Sequence, residues 1–225
     1  MRVVYEATRN YYPYLLPSIR SLLDHNNPEV VYVLAEDDKI TGLPDVCQII
    51  NVSKQTWIRG SSPNYHNYYS WMVLMRVCLP ALLPCDKVLQ LDVDTIICDN
   101  LQPLWDTELD GKWFAAVQEY ESMYRPYGDR YYNAGVMLLN LDQMRADNAM
   151  QIFVDELNTR RYRFPEQDLL NLYGVPDKVV DIPVRYNESF CCGYTDDPAV
   201  IHFAGYRDWY GNLALFRSEY MFRYL

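Results

Sequence analysis

A strand, a helix and a second strand follow one another within the first 35 residues, and that order constrains the fold more than any other feature of the chain. A short strand-like run, roughly Arg2 to Tyr5, is followed by a helical pattern from Pro13 to His25. Leu15, Leu16, Ile19, Leu22 and Leu23 recur there at helical spacing. Pro13 suits a first turn, where its missing N–H is not needed. Asp24-His25-Asn26-Asn27-Pro28 is a turn cluster. Glu29 to Ala35 then reads Glu-Val-Val-Tyr-Val-Leu-Ala, the nearly continuous apolar run of a strand buried on both faces, as in a parallel sheet. The order predicts an α/β domain of nucleotide-binding type, with ligands beyond the carboxyl ends of its strands. Thr8, Arg9 and Asn10 follow the first strand and can hydrogen-bond such a ligand. Capping of the helix by Asn10 is the competing explanation.

The same logic singles out Lys87-Val88-Leu89-Gln90-Leu91-Asp92-Val93-Asp94, an apolar strand that stops at two carboxylates one residue apart. Side chains alternate along an extended chain, so Asp92 and Asp94 point the same way while Val93 enters the core. Two acids there are costly unless a positive charge lies between them, and a divalent cation takes carboxylate oxygens well. Two solvated acids opening a turn is the plain alternative. His202 follows another apolar run, in a late strand over Ala199 to Gly205 that ends in a histidine and a glycine. If the two strands are adjacent it completes a two-carboxylate, one-imidazole site, which tilts the preference toward Mn²⁺ with Mg²⁺ also admissible. A buried core histidine is the other reading.

Between and around these points, Cys47 to Val52 reads as a strand and Gly60 to Asn64 as a loop. A helix is expected from about Tyr68 to Leu83. It carries Arg76, which either snorkels to the surface or points inward to pair with a phosphate. Trp113 to Val117 and Tyr131 to Asn140 read as strands, the second with Gly135 marking a close backbone approach. Glu119 to Asp129 is a long loop with the character of a lid or binding segment. Asp142 to Asn158 reads as one helix. Phe164-Pro165-Glu166-Gln167-Asp168 reads as a helix start, which by itself accounts for the two acids. Val179 to Ile182 is a further strand. The tail, Leu213 to Leu225, is expected to be helical, packed on the domain rather than lying on a membrane surface.

Composition removes several classes of function. The formal net charge of −10 argues against nucleic-acid binding, which needs a basic stripe. The six cysteines include no Cys-x-x-Cys pair, so a structural zinc site is not expected. The N-terminus shows no signal-peptide core, and no apolar run reaches membrane-spanning length. A cytoplasmic protein with reduced thiols is therefore expected. The 21 tyrosines cluster, and their rings either rim the core or face a sugar.

In order along the chain, Ala7-Thr8-Arg9-Asn10-Tyr11, Arg76, Leu91-Asp92-Val93-Asp94, Asn133-Ala134-Gly135-Val136, Gln167-Asp168-Leu169-Leu170-Asn171 and His202-Phe203-Ala204-Gly205-Tyr206-Arg207-Asp208-Trp209 resemble glycosyltransferase family 8. That family includes glycogenin and bacterial lipopolysaccharide galactosyl- and glucosyltransferases. The resemblance implies a GT-A fold, a Rossmann-like mixed sheet flanked by helices, with residues 1–225 as one domain. Residues 1–110 would be the nucleotide-binding half, 111–210 the half for donor sugar and acceptor, and 211–225 the tail. It implies a retaining hexosyltransferase, a UDP-glucose or UDP-galactose donor, a glycan or other hydroxyl acceptor, and Mn²⁺. Asp92, Asp94 and His202 would hold the metal. Ala7, Thr8, Asn10 and Val93 would lie near the nucleoside, Arg76 near the diphosphate, and Gly205 and Arg207 on the phosphates. Asn133, Ala134 and Gln167 would line the sugar, with Asp168 on its hydroxyls and Gln167 or Asp168 next to the reacting carbon. Two departures stand out: Thr8 where the family commonly has an acid, and Arg207-Asp208 where it usually has Lys-Pro.

Two other readings remain at this point. An aspartyl-phosphate phosphohydrolase also begins with Asp-x-Asp after an apolar strand, but it places a Thr where this chain has Ile96 and uses its first strand. A non-catalytic sugar-binding relative suits the aromatic clusters, and a complete Asp92, Asp94, His202 set argues against it.

Overall fold

The computed structural model describes residues 1–66, 68–120, 130–204 and 223–224. The expected first unit is present as β1 (Arg2–Ala7), α1 (Tyr12–His25) and β2 (Val30–Ala35), followed by β3 (Cys47–Asn51). Then come α2 (Leu79–Leu82), β4 (Lys87–Leu91), β5 (Thr95–Ile97), α3 (Gln102–Trp105), β6 (Phe114–Gln118) and β7 (Tyr132–Asn140). The chain continues through α4 (Leu141–Ala146), α5 (Ala149–Thr159), α6 (Pro165–Gly174), β8 (Val179–Asp181) and β9 (Val200–His202). No helix among the described residues is long and apolar enough to cross a membrane.

Seven strands form one sheet in the order β3-β2-β1-β4-β7-β6-β8, and β5 pairs with β9 in a separate ribbon. β1 to β4 run parallel, and β7 alone is antiparallel to its neighbours β4 and β6. Both faces of the sheet are covered, as the apolar runs predict. Val3, Tyr5, Val31 and Val33 pack with Leu15, Ile19 and Leu22 of α1 on one side. Val4, Tyr32 and Leu34 pack with Met72, Met75 and Phe153 on the other. The strand order turns around at β1, with β2 and β3 built outward on one side and β4 on the other. A crevice opens at such a switch point, beyond the carboxyl ends of the strands. Glu6, Ala7 and Thr8 leave β1 there, and Asp92 to Asp94 leave β4.

Four local expectations are corrected. The segment expected as a helix from Tyr68 to Leu83 is a 3-10 helix, Trp71–Cys78, closed by the single turn of α2. Pro80 has no N–H to offer the Arg76 carbonyl, which takes the N–H of Leu79 instead and tightens the turn. The expected helix from Asp142 to Asn158 is two helices, because Asn148 adopts a left-handed conformation at φ 54°. Asn10 does not cap α1; the residue in that place is Tyr11, and no side chain caps the helix. Asp92 and Asp94 converge through a turn after β4 rather than through strand alternation. The expected tail helix, and the expected loop over residues 121–129, lie outside the described residues.

Candidate metal centre

Chain geometry after β4 brings three ligand atoms together. The Asp92 N–H donates to the Gly135 carbonyl of β7 at 2.8 Å, and Thr95 Oγ1 donates to the Asp92 carbonyl at 2.8 Å, closing the turn. Val93 enters the core inside that turn, as expected. β5 starts at Thr95, directly opposite His202 in antiparallel register, and the Phe203 N–H donates to the Asp94 carbonyl at 2.9 Å. The strand that delivers the histidine thus pairs with the one following the acids, not with the one preceding them. His202 Nε2 lies 3.6 Å from Asp92 Oδ2 and 3.4 Å from Asp94 Oδ1. One donor atom from each of Asp92, Asp94 and His202 falls within 4.8 Å of the others. The imidazole is buried while the two carboxylates keep 30% and 23% of their surface, so the group opens to one side only. Two hard oxygens and one imidazole on a single open face fit Mn²⁺ or Mg²⁺, with positions left for a ligand.

Gly135 makes room for the imidazole. A β-carbon there would sit 2.0 Å from His202 Cε1. Gly135→Ala is therefore expected to expel the ring, with divalent-ion binding lost and the unfolding temperature lowered. Calorimetric titration with Mn²⁺ and a thermal melt check it, and wild-type affinity in the variant would show that the ring tolerates displacement.

Arg76 is resolved inward. Only 4% of it is exposed, and its guanidinium meets Glu6 at 3.5 Å, Asp92 at 2.5 Å and Glu166 at 3.1 Å. It also donates to the Ala134 carbonyl at 3.0 Å. Arg76 Nε and Glu6 Oε1 are buried without a protein partner. With Asp94 beside it the cluster holds more acid than base, a deficit of positive charge that a divalent ion would offset.

Burial pushes the Glu6 carboxyl up to about 7 against the pull of Arg76, and it does the same to Glu166. Burial opposes the charged imidazole of His202, but Asp94 and Asp92 outweigh it and raise its pKa. All three groups take up protons on folding, because each binds its proton more tightly folded than unfolded. The contribution of the two carboxyls is complete at acid pH and is lost as pH rises from about 4.5 toward 7, and that of the imidazole is lost only as pH rises above the ordinary histidine value of 6.5. In chemical denaturation with a chelator present, stability is expected to fall across that window, and Glu6→Gln is expected to flatten the slope. A flat wild-type profile would mean that the carboxyls titrate at ordinary values.

Where β7 passes the site, its pairing with β6 shifts register between Ala116 and Gln118. There the Ala134 N–H faces α6, while the Asn133 side chain meets Glu119 and Asn187. Gln167 Oε1 accepts from the Ala134 N–H at 2.8 Å, and its Nε2 donates to Glu119 Oε1 at 3.1 Å. Asn133 Nδ2 donates to the same Glu119 oxygen at 2.8 Å. Asp168 is fully buried. Its Oδ1 accepts from the Tyr131 hydroxyl at 2.5 Å, and its Oδ2 from the N–H groups of Arg163 and Phe164, each at 3.0 Å. It ties the backbone that enters α6 to the helix, whereas Glu166, two residues earlier, reaches Arg76. Ala7 closes β1 and Thr8 and Asn10 follow it at the crevice. Tyr11 joins them, its hydroxyl raised by burial and then by the nearby Asp94. Gly205 and Arg207 lie outside the described residues.

Sequence reasoning missed Glu6, Glu119, Glu166 and Asn187. Glu6 had a signal, an acid inside the apolar run Val3-Val4-Tyr5-Glu6-Ala7, where a doubly buried strand tolerates a carboxylate only if it is paired. Glu166 had none, since acids in a first turn need no further reason.

A sequence model of glycosyl transferase family 8 matches residues 2–210. A putative glycosyltransferase of Haemophilus influenzae is 25% identical over 210 residues, covering 83% of this chain and 63% of that protein. Glycosyltransferase GlyA of Streptococcus pneumoniae is 26% identical over 94% of this chain and 32% of its own length. A lipopolysaccharide 1,2-glucosyltransferase of Escherichia coli is 26% identical over 60% of this chain and 49% of its own. The chain thus spans from 32% to 63% of the length of these three curated relatives. Among solved structures, the galactosyltransferase LgtC in complex with donor and acceptor sugar analogs superposes with a TM-score of 0.75 at 23% identity, over 99% of this chain and 94% of that one. Mouse xyloside xylosyltransferase 1 superposes with a TM-score of 0.68 at 17% identity, over 91% of this chain and 98% of that one. These likenesses establish a GT-A fold. With the family pattern running from the first strand past His202, the chain belongs to glycosyl transferase family 8.

Proposed function

We propose that this protein is a divalent-metal-dependent, retaining hexosyltransferase that moves glucose or galactose from a UDP-sugar to a hydroxyl acceptor such as a glycan. The observation that carries the reading is the meeting of Asp92, Asp94 and His202 at the crevice of the sheet, beside a buried Arg76. A bound Mn²⁺ or Mg²⁺ would neutralise charge on the diphosphate leaving group. Arg76, with its Nε unpaired, adds fixed positive charge on the same side. Ala7, Thr8, Asn10 and Val93 take the nucleoside in this reading, and Gly205 and Arg207 the phosphates. Asn133, Ala134 and Gln167 flank the sugar, and Glu166 rather than Asp168 faces its hydroxyls, because both oxygens of Asp168 are already engaged. That engagement also disfavours Asp168 as a nucleophile. Gln167 is an amide and a poor nucleophile, so attack from the leaving-group face is favoured, with the second lone pair of Gln167 Oε1, whose first accepts from the Ala134 N–H, stabilising the cationic sugar.

Slow hydrolysis of the donor needs no known acceptor and tests the reading directly. Incubated with a panel of nucleotide sugars, the protein is expected to release UDP from UDP-glucose or UDP-galactose with Mn²⁺. It is expected to stop with EDTA and to recover when Mn²⁺ is restored. Donor consumption indifferent to EDTA, or none from any nucleotide sugar, would sink it.

A further inference from the structure

The hydrogen bonds behind His202 have only one consistent direction. The backbone N–H of Gly135 can only donate, and it donates to Asn133 Oδ1 at 2.9 Å. That same oxygen accepts from Asn187 Nδ2 at 2.8 Å. Asn187 must then turn its own oxygen, Oδ1, to its other neighbour, which is His202 Nδ1 at 2.8 Å. An amide oxygen cannot donate, so Nδ1 carries a proton. The lone pair left for a cation is on Nε2, the atom that faces Asp92 and Asp94. Asn187 is fully buried and anchored by its own N–H to the Val184 carbonyl at 2.9 Å. The next residue, Glu188, is bonded to β9 on both sides of Ile201: its N–H donates to Val200 at 2.9 Å and its carbonyl accepts from His202 at 2.8 Å. The amide therefore cannot drift relative to the ring it holds.

We propose that Asn187 is a positioning residue for the metal centre, holding His202 with the proton on Nδ1 and Nε2 aimed at the ion, its polarity set by the Gly135 backbone through Asn133. The consequence for the ion rests on the metal reading above, while the location of the proton does not. A metal-bound histidine depends on such a partner on its far nitrogen for orientation and basicity, and losing one typically weakens metal binding roughly 10–100-fold.

Two measurements separate these levels. In ¹⁵N-histidine spectra of the metal-free wild-type protein, Nδ1 of His202 is expected to resonate as a protonated, hydrogen-bonded nitrogen; an unprotonated Nδ1 would overturn the assignment without any variant. Free Mn²⁺, counted by electron paramagnetic resonance during titration, gives affinities for wild type, Asn187→Ala and Asn187→Asp. Asn187→Ala is expected to bind roughly 10–100-fold more weakly. Asn187→Asp, which still accepts from Nδ1–H but sets an oxygen against Asn133 Oδ1 in place of the donated N–H, is expected to recover part of the loss. Wild-type affinity in Asn187→Ala overturns the proposal, and so does equal weakness in both variants, which marks a packing role alone. A wild-type protein that keeps Nδ1 protonated but binds no Mn²⁺ defeats the metal reading and leaves the proton where it is placed here.

Discussion

Asp94→Ala is expected to abolish metal-dependent donor turnover while the protein stays folded. The carboxylate is partly exposed and faces His202 Nε2. The backbone around it is tied independently, by the Phe203 N–H on the Asp94 carbonyl and by the pairing of Thr95 with His202. Removing the side chain therefore costs little packing and relieves an excess of negative charge. The cation, in contrast, loses one of two carboxylates. Charge stabilisation of several kcal/mol at the leaving group corresponds to a loss of roughly a thousandfold or more in rate. UDP release in Mn²⁺, the Mn²⁺ affinity and a thermal melt together check this. Normal turnover in the variant would remove Asp94 from the chemistry, and a collapsed melt would show that it serves the fold.

Arg76→Ala is expected to damage both stability and turnover. The guanidinium is the positive partner that Glu6, Asp92 and Glu166 share, and it also satisfies the Ala134 carbonyl. Truncating one partner of a buried ion pair leaves uncompensated charge and costs about 3–5 kcal/mol. Protonation of Glu6 and Glu166, both raised to about 7 by burial, softens that loss at lower pH. The deficit in Arg76→Ala should thus be larger at pH 8 than at pH 6, and Glu6→Gln in the same chain should restore part of it. Arg76→Lys keeps the charge but not the planar fork that meets several oxygens at once, so it should fall between the two. Denaturant midpoints at both pH values test this ladder. Unchanged stability and kinetics in Arg76→Ala would reduce the residue to a bystander.

Much of the site was legible because its pieces sit at strand ends. An apolar run that stops at Asp92, a run that stops at His202, and a glycine inside an apolar strand at Gly135 each break a local pattern, and such breaks are where function is expected. Glu166 stayed hidden because a first-turn acid is already explained by the helix it opens. Asn187 stayed hidden because a lone asparagine in a polar stretch carries no periodic signal. The 3-10 segment over Trp71–Cys78 escaped because its apolar spacing is helical either way, and only the position of Pro80 distinguishes the tighter turn.

Hydrophobic periodicity, read over a few residues at a time, determined the β1–α1–β2 start, the doubly buried strands and hence an α/β sheet with its ligands at the carboxyl ends. It also supplied the three donors, Asp92, Asp94 and His202. Their meeting was decided by tertiary structure alone. It depends on the pairing of β5 with β9, which sets Thr95 opposite His202. It depends equally on the empty β-carbon position at Gly135, which admits the ring. Arg76 took its place the same way, among acids contributed by β1, α6 and the turn after β4. Local sequence sets what each strand end can offer; register between distant strands, fixed by packing on both faces of the sheet, sets which offers coincide.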